Sequence, residues 1–377
     1  MRLDLSHALF SSFDIDKGTR LLLKVIAQSG LVRGAPSILD LGCGVGVIGL
    51  ALGAALPEAA IHFRDRDALA ASFARHNAAK NGRTPASCGT GLTLTGLSGR
   101  RFDFIVSNVP AKAGPPVIED LILRLPGALN PNGRFALVVV NPIAAAARDA
   151  ILRSGAPLDV EETGPGHTVF IGGRGLEAPK PADEFLCYER CRSRFEIEGA
   201  AYELSGYWGL PEFDTPSFAS VLAASACVRA SAGSLFRSIL LSNPGPGHVA
   251  LFACSRFEPA RTALVSRDSL QILATRRNLA AAGFSPIITE SDGLDPEDVD
   301  PSSADLIVEI PDPVPECDWI SPVWKRASRA AKSGASLVFV GRPTEAVRFD
   351  RRKTEDWVRR FERKRNGFLV LTYRKEP

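Results

Sequence analysis

SILDLGCGVGVIGLALGAAL, residues 37–56, changes character twice. Residues 37–41 are a short apolar strand, residues 42–46 a glycine-rich turn, and residues 47–56 suit a buried helix. A strand that turns on glycines straight into a helix opens an α/β unit. The sequence on either side keeps the pattern. AAIHFR (59–64) reads as a second strand and DALAASFARHNAAK (67–80) as a helix started by Asp67, with Asn81-Gly82 ending it by supplying positive φ. FDFIVSN (102–108) and RFALVVV (134–140) are strands. Residues 117–129, closed by NPNG at 130–133, and residues 143–153 are helical, and a β-pair at 157–172 completes the unit. The alternation predicts a parallel sheet covered by helices on both faces.

The second half repeats the first. DRDALAASFARHNAAKNG (65–82) aligns with SRDSLQILATRRNLAAAG (266–283) at an offset of 201. FDFIV (102–106) aligns with ADLIV (304–308), GRFALVVV (133–140) with GASLVFVG (334–341), GHTVFI (166–171) with GFLVLT (367–372), and SSFDIDKGTRLLL (11–23) more loosely with PEFDTPSFASVLA (211–223). Matches in order at a near-constant offset predict two copies of one fold. Residues 1–178 form the first copy. Residues 179–210 are a linker with a hairpin, from the alternation in FEIEGAAYEL, and residues 211–377 are the second copy. VALFA (249–253) is taken as the second copy's first strand. It leads into Cys254–Phe257 without a glycine, about ten residues short of Ser266, and Ser266 stands where the first copy has Asp65. The first copy therefore reads as ligand-competent and the second as degenerate.

Composition agrees with this plan. A chain of 377 residues exceeds the ~100–200 of one domain. Its 45% hydrophobic and 23% charged residues exclude a wholly disordered chain, a collagen or a coiled coil. No apolar run approaches the ~18–20 residues of a membrane span. No export signal is evident at the N-terminus, and seven scattered cysteines predict reduced thiols and a cytoplasmic protein. Cys187 and Cys191 lack a second pair at metal spacing, so no metal is expected. The net charge of +3 hides an asymmetry: residues 325–375 hold 16 Lys/Arg against 5 Asp/Glu, a balance of +11, and the remainder carries −8. Such a basic region suits a phosphate-rich partner, or it is a solvated helix face.

The chemistry centres on Asp40-x-Gly42-x-Gly44-x-Gly46. Glycines there let a ligand approach the backbone, as a dinucleotide or S-adenosylmethionine does. Asp40 would repel a pyrophosphate and favours a cationic, amino-acid-bearing ligand. Asp65, ending the next strand, is placed to accept both hydroxyls of a ribose.

With these features, residues 36–140 resemble a class I S-adenosylmethionine-dependent methyltransferase. FSSFDIDKGTRLLL, ILDLGCGVGVIGLAL, DRDALAASFARHNAAKNG and SNVPAKAG are similar to the methyltransferase small family, which includes ribosomal RNA guanine-N2 methyltransferases, some of them tandem duplicates with one degenerate half. The resemblance implies two Rossmann-like domains, the second degenerate. It implies that Asp40, Gly42, Cys43, Gly44 and Gly46 hold the methionine and ribose parts of the cofactor and that Asp65, with Arg66 beside it, takes the ribose hydroxyls. It also implies that Phe13, Asp16, Gly18 and Thr19 line the methionine end, and that residues 88–92 lie near the adenine.

Asn108-Val109-Pro110-Ala111 occupies the family's Asn-Pro-Pro-aromatic position. An exocyclic or amide nitrogen must present its lone pair to the methyl group. The Asn108 oxygen and the next backbone carbonyl can accept its two N–H hydrogens and stabilise the developing charge. Val109 replaces the first proline, and Ala111 replaces an aromatic whose stacking is worth ~1–3 kcal/mol. The catalytic set is thus Asn108, Val109 and Pro110, with Asn108 also touching the cofactor. Lys112 flanks the mouth, and Arg359, Arg360, Arg363 and Lys364 on a basic helix are expected to hold phosphates of ribosomal RNA or a ribosomal subunit. His76 reads as a surface residue, and His167 in the terminal strand pair faces either way. The expected function is N-methylation of guanine in ribosomal RNA. The alternatives are N6-adenine, protein glutamine or small-molecule methylation, or a cofactor-binding module without turnover.

Overall fold

The computed structural model describes residues 1–9, 15–32, 34–177 and 181–376. The chain divides into two units, Met1–Glu189 and Arg190–Pro377. In the first, α1 (Lys17–Ser29) precedes β1 (Ser37–Leu41), α2 (Val47–Ala55), β2 (Ala60–Asp65), α3 (Ala68–Lys80), β3 (Ser87–Thr90), β4 (Phe102–Asn108), α4 (Pro115–Ala128), β5 (Leu129–Val140), α5 (Ala144–Arg153), β6 (Leu158–Thr163) and β7 (His167–Gly173). The sheet order is β3-β2-β1-β4-β5-β7-β6. Strands β1 to β5 run parallel, and β7 and β6 close the edge antiparallel.

Strand alternation decides what each face receives. Leu39 and Leu41 enter one core with Ile105, Leu121 and Leu137. Ile38 enters the other with Leu22, Ile48 and Phe104. Asp40 shares the Ile38 face, so it points at α2. Each fully buried Leu, Ile or Phe contributes about 1.5–3 kcal/mol, and Ile38, Ile105 and Leu137 have no exposed surface. Helix starts follow the sequence: Asp16 caps α1 through Thr19 N, and Asp67 caps α3 through Leu69 N. Gly82, at φ 67°, turns the chain after α3.

The second unit opens with a ribbon of β8 (Glu189–Ile197) and β9 (Ala200–Tyr207). It continues with α6 (Phe218–Ser231), β10 (Ser238–Ser242), α7 (His248–Phe257), β11 (Arg261–Val265), α8 (Ser269–Ala281), β12 (Ile287–Ser291), β13 (Ala304–Glu309), α9 (Ile320–Ala330), β14 (Ala331–Gly341), α10 (Pro343–Arg351), β15 (Trp357–Arg365) and β16 (Phe368–Lys375). Its sheet order, β12-β11-β10-β13-β14-β16-β15, matches the first element for element. No helix among the described residues is long and apolar enough to cross a membrane.

Two expectations need correction. The second copy's first strand is SILLS (238–242), not VALFA, which lies inside α7. SILDLGCGVGVIGL (37–50) aligns with SILLSNPGPGHVAL (238–251) at the same offset of 201, so the turn keeps two glycines and no residues are missing. The apolar run misled because a buried helix and a buried strand look alike over five residues. The basic run 357–365 is a strand, not a helix. Trp357 is fully buried, and Asn366-Gly367, at φ 49° and 78°, makes the tight turn to β16. The ribbon lies at 189–207, its β9 strand packing on α7 and α8 of the second unit, while residues 183–188 pack on the first.

Candidate functional site

The glycine turn after β1 is built from backbone bonds to β2. Gly42 N and Cys43 N both donate to Arg64 O, at 2.8 and 3.1 Å, and Gly44 N donates to Asp65 Oδ2 at 2.9 Å. Gly42 and Gly44 have φ of 70° and 53°, and a Cβ at Gly44 would meet nothing within 4 Å. The turn therefore borders open space and leaves its backbone approachable.

Asp40 is fully buried beneath this turn. Its Oδ2 accepts from Gly49 N at 2.7 Å, and Oδ1 has no hydrogen-bond partner among the described residues. Burial pushes its carboxyl up to about 7, the Gly49 N–H opposes this, and the neighbouring Asp65 adds to the rise. Asp65 itself is raised by burial, against N–H donors from Asp67 and Gly44. An orphaned buried oxygen near a second carboxylate suits a cationic ligand. Burial also pushes the Cys43 thiol well up, with Asp65 and Asp40 adding to it, so Cys43 stays protonated in the turn.

At the end of β4, Asn108 Nδ2 donates to Asp16 Oδ2 at 2.8 Å and to Thr19 Oγ1 at 3.0 Å. Both amide hydrogens are engaged, and among the described residues nothing donates to its Oδ1. Asp16 also accepts from Thr19 N at 3.1 Å, so one carboxylate starts α1 and orients Asn108. Gly18 belongs here by size: a Cβ would stand 2.7 Å from His167 Cδ2 and 3.0 Å from Asp16 Oδ2. His167 thus faces α1, and its Nδ1 is buried without a partner among the described residues. Val109 is buried, and its N–H donates to Val138 O at 2.9 Å, a bond that proline could not make. Pro110, Ala111 and Lys112 are exposed beside it.

The structure brings Asp16, Gly18, Thr19 and Asn108 into one cluster, and Asp40, Gly42, Cys43, Gly44, Gly46 and Asp65 into another, joined through β1 and β4. Arg66 follows Asp65, and its charge favours that carboxylate's ionised form. Phe13 lies outside the described residues. Arg359, Arg360, Arg363 and Lys364 lie on β15 of the second unit. Arg359 pairs with Asp350 and Glu362, and Arg360 with Glu376. His76 is exposed and bonds Asp4, as a surface residue would. No cluster of three or more His, Cys, Asp or Glu that could hold a metal occurs among the described residues.

Sequence reasoning missed Asn77. Fully buried in α3, it donates to Val45 O at 2.9 Å and to Asp4 O at 3.0 Å, and accepts from Asp4 N at 2.8 Å. It splints the glycine turn from below. The signal was present: asparagine is unfavourable inside a helix, and Asn278 repeats it, donating to Pro246 O and Ser205 O.

The second unit keeps this framework and changes the side chains around the turn. Leu241 replaces Asp40, Asn243 replaces Gly42, Ser266 replaces Asp65 and Glu309 replaces Asn108. Asn243 Nδ2 donates to Ile310 O at 2.9 Å, and Ser266 Oγ donates to Asn243 Oδ1 at 3.2 Å. Arg267 pairs with Asp312, and Arg326 with Glu309 at 3.0 Å in a buried pair. These side chains tie the turn, the end of β11 and the end of β13 to one another.

The profile of the methyltransferase small domain matches residues 1–153. The chain is 36% identical over 137 residues to the ribosomal RNA small subunit methyltransferase C of Actinobacillus pleuropneumoniae serotype 3 (strain JL03), covering 35% of this chain and 40% of that protein. It is 30% identical over 132 residues to the uncharacterized protein YbxB of Bacillus subtilis (strain 168), covering 35% of this chain and 64% of that protein. The chain therefore spans about two fifths of the length of the methyltransferase C relatives it matches. A solved structure, the T. thermophilus 16S rRNA N2 G1207 methyltransferase in complex with AdoMet and guanosine, superimposes with a TM-score of 0.66 over 96% of this chain and 92% of that one. At 19% identity this likeness speaks for the fold.

Proposed function

We propose that the chain, whose residues 1–153 match the methyltransferase small domain, transfers a methyl group from S-adenosylmethionine to the exocyclic amino group of guanine in ribosomal RNA. The residues fit that cofactor. Asp40 and Asp65 offer carboxylates to a cation and a ribose, Asp40 Oδ1 lacks a partner among the described residues, and space stands open beside Gly44. Asp40, the Gly42–Gly46 turn, Asp65 and Arg66 would hold the cofactor, with Asp16, Gly18 and Thr19 toward the reacting end. Bound there, S-adenosylmethionine supplies an activated methyl group on a sulfonium.

One observation carries the reading: Asn108 is locked by Asp16 and Thr19 with its amide hydrogens inward. Its Oδ1 is thereby the acceptor at the end of β4. Oδ1 and the Val109 carbonyl take the two N–H hydrogens of the target nitrogen, direct its lone pair, and stabilise the charge it acquires. Lys112 stands at the mouth, and Arg363 and Lys364 on β15 present positive charge to RNA phosphates.

Labelled S-adenosylmethionine with ribosomal subunits from a deletion strain tests this. Label appearing in RNA as N2-methylguanosine, and lost with Asn108→Ala, is the expected result. Label in adenine or in protein glutamine would move the substrate and keep the reaction. Exposed Ala111 favours a second reading, a cofactor-binding module without turnover, which predicts binding and no transfer to any acceptor.

A further inference from the structure

Loop 91–96, which follows β3, is held in a costly conformation. Thr93 has φ 38°, which a β-branched residue adopts only when its surroundings impose it. Arg64 supplies part of that constraint, donating from Nε to Thr93 O at 2.8 Å and from a terminal nitrogen to Thr95 O at 2.5 Å. Gly91 N donates to Asp65 O at 2.8 Å, and Thr90 pairs in register with Asp65. The loop therefore begins beside the backbone of Asp65, whose carboxylate is assigned to the ribose.

The other constraint comes from the end of the unit. Glu184 accepts from Gly96 N at 3.1 Å and from Arg124 at 3.0 Å, with its side chain 15% exposed. Tyr188, 3% exposed, donates its hydroxyl to Thr93 Oγ1 at 3.3 Å. Nearly a hundred residues separate these partners in sequence, so residues 184–188 act as a strut against the loop.

We propose that Tyr188 and Glu184 are positioning residues for the nucleoside end of the cofactor site, acting through loop 91–96. The proposal rests on the cofactor reading above. It assigns to the segment joining the two units a part in the first unit's ligand affinity. Strain held at Thr93, in a loop that starts beside Asp65, fits a loop fixed in place to meet a ligand. A loop that served the fold alone would gain stability from glycine at this position.

The test is calorimetric titration of S-adenosylmethionine and of 5′-methylthioadenosine, which lacks the amino-acid end, into the full chain and into Tyr188→Phe, Glu184→Ala and Thr93→Gly. Loss of one such hydrogen bond weakens binding by roughly 3- to 10-fold. The expected result is that loss for both ligands in all three variants, with the melting temperature of ligand-free Thr93→Gly no lower than that of the parent. Weakening confined to S-adenosylmethionine would place the effect at the amino-acid end and overturn the proposal, as would unchanged affinities. If the parent chain binds neither ligand, the cofactor reading itself fails, a result distinct from both.

Discussion

Asn108 Nδ2 lies 2.8 Å from Asp16 Oδ2, a bond that joins the end of β4 to the cap of α1 across 92 residues of sequence. A carboxylate can only accept, so it fixes which way the amide points. Asp16→Asn removes that constraint and lets Asn108 present nitrogen where the proposed transfer needs oxygen. Misplacement on this scale costs on the order of 100-fold in turnover. Single-turnover methyl transfer to RNA should fall accordingly, and Thr19→Val should fall less because Asp16 remains.

Asp40 sets a pH dependence of opposite sign for stability and for binding. Burial pushes its folded carboxyl up to about 7, from the ordinary 3.8, so between these values the folded chain holds a proton that the unfolded chain has released. Its contribution therefore makes the ligand-free protein less stable as pH rises from about 4 to 7. At about 1.36 kcal/mol per pH unit the effect is of order 4 kcal/mol. Cofactor affinity should instead rise through pH 7, as the carboxylate forms. Asp40→Asn should raise the melting temperature at pH 8 and abolish binding.

The second unit should bind no S-adenosylmethionine. Titration should give one cofactor per chain, and Asp65→Ala should eliminate it. A second binding event surviving Asp65→Ala would show that the ties Asn243–Ile310 and Arg267–Asp312 open in solution.

The Arg326–Glu309 pair is buried on both sides, at 7% and 3% exposure. Arg326→Leu leaves Glu309 charged in the interior, which costs about 3–5 kcal/mol. Denaturant unfolding of the second unit should show that loss. Replacing both residues by an apolar pair should recover most of it.

On β15, Arg359 and Arg360 already face carboxylates. Among the described residues Arg363 and Lys364 have none. Neutralising Arg363 and Lys364 should weaken RNA binding more than neutralising Arg359 and Arg360. It should also flatten the salt dependence by about 0.7 per lost phosphate contact on single strands.

Much of this was legible in the sequence where local and global preferences agree. The strand–glycine–helix passage at 37–56 predicts its fold because alternation and turn chemistry coincide there. Asp67 and Gly82 punctuate α3 for the same reason. Residues 357–365 were misread because charge count outweighed the Asn366-Gly367 hairpin signal. The second glycine turn was missed because VALFA looks like a strand in isolation. Asp16, Thr19 and Asn108 were each legible, but their bond was not, since it depends on α1 meeting the end of β4. Thr93 and Tyr188 were invisible: no local rule marks a backbone angle imposed from a hundred residues away.

Asn77 and Asn278 splint the same turn in both units, although only the first turn lies beside two carboxylates, Asp40 and Asp65. The repeat thus keeps one architecture around two different sets of side chains. Each molecule carries its own internal control, a matched backbone in which Asp40, Asp65 and Asn108 have become Leu241, Ser266 and Glu309. Exchanging those side chains between the units would separate what a glycine turn needs in order to fold from what it needs in order to hold a ligand.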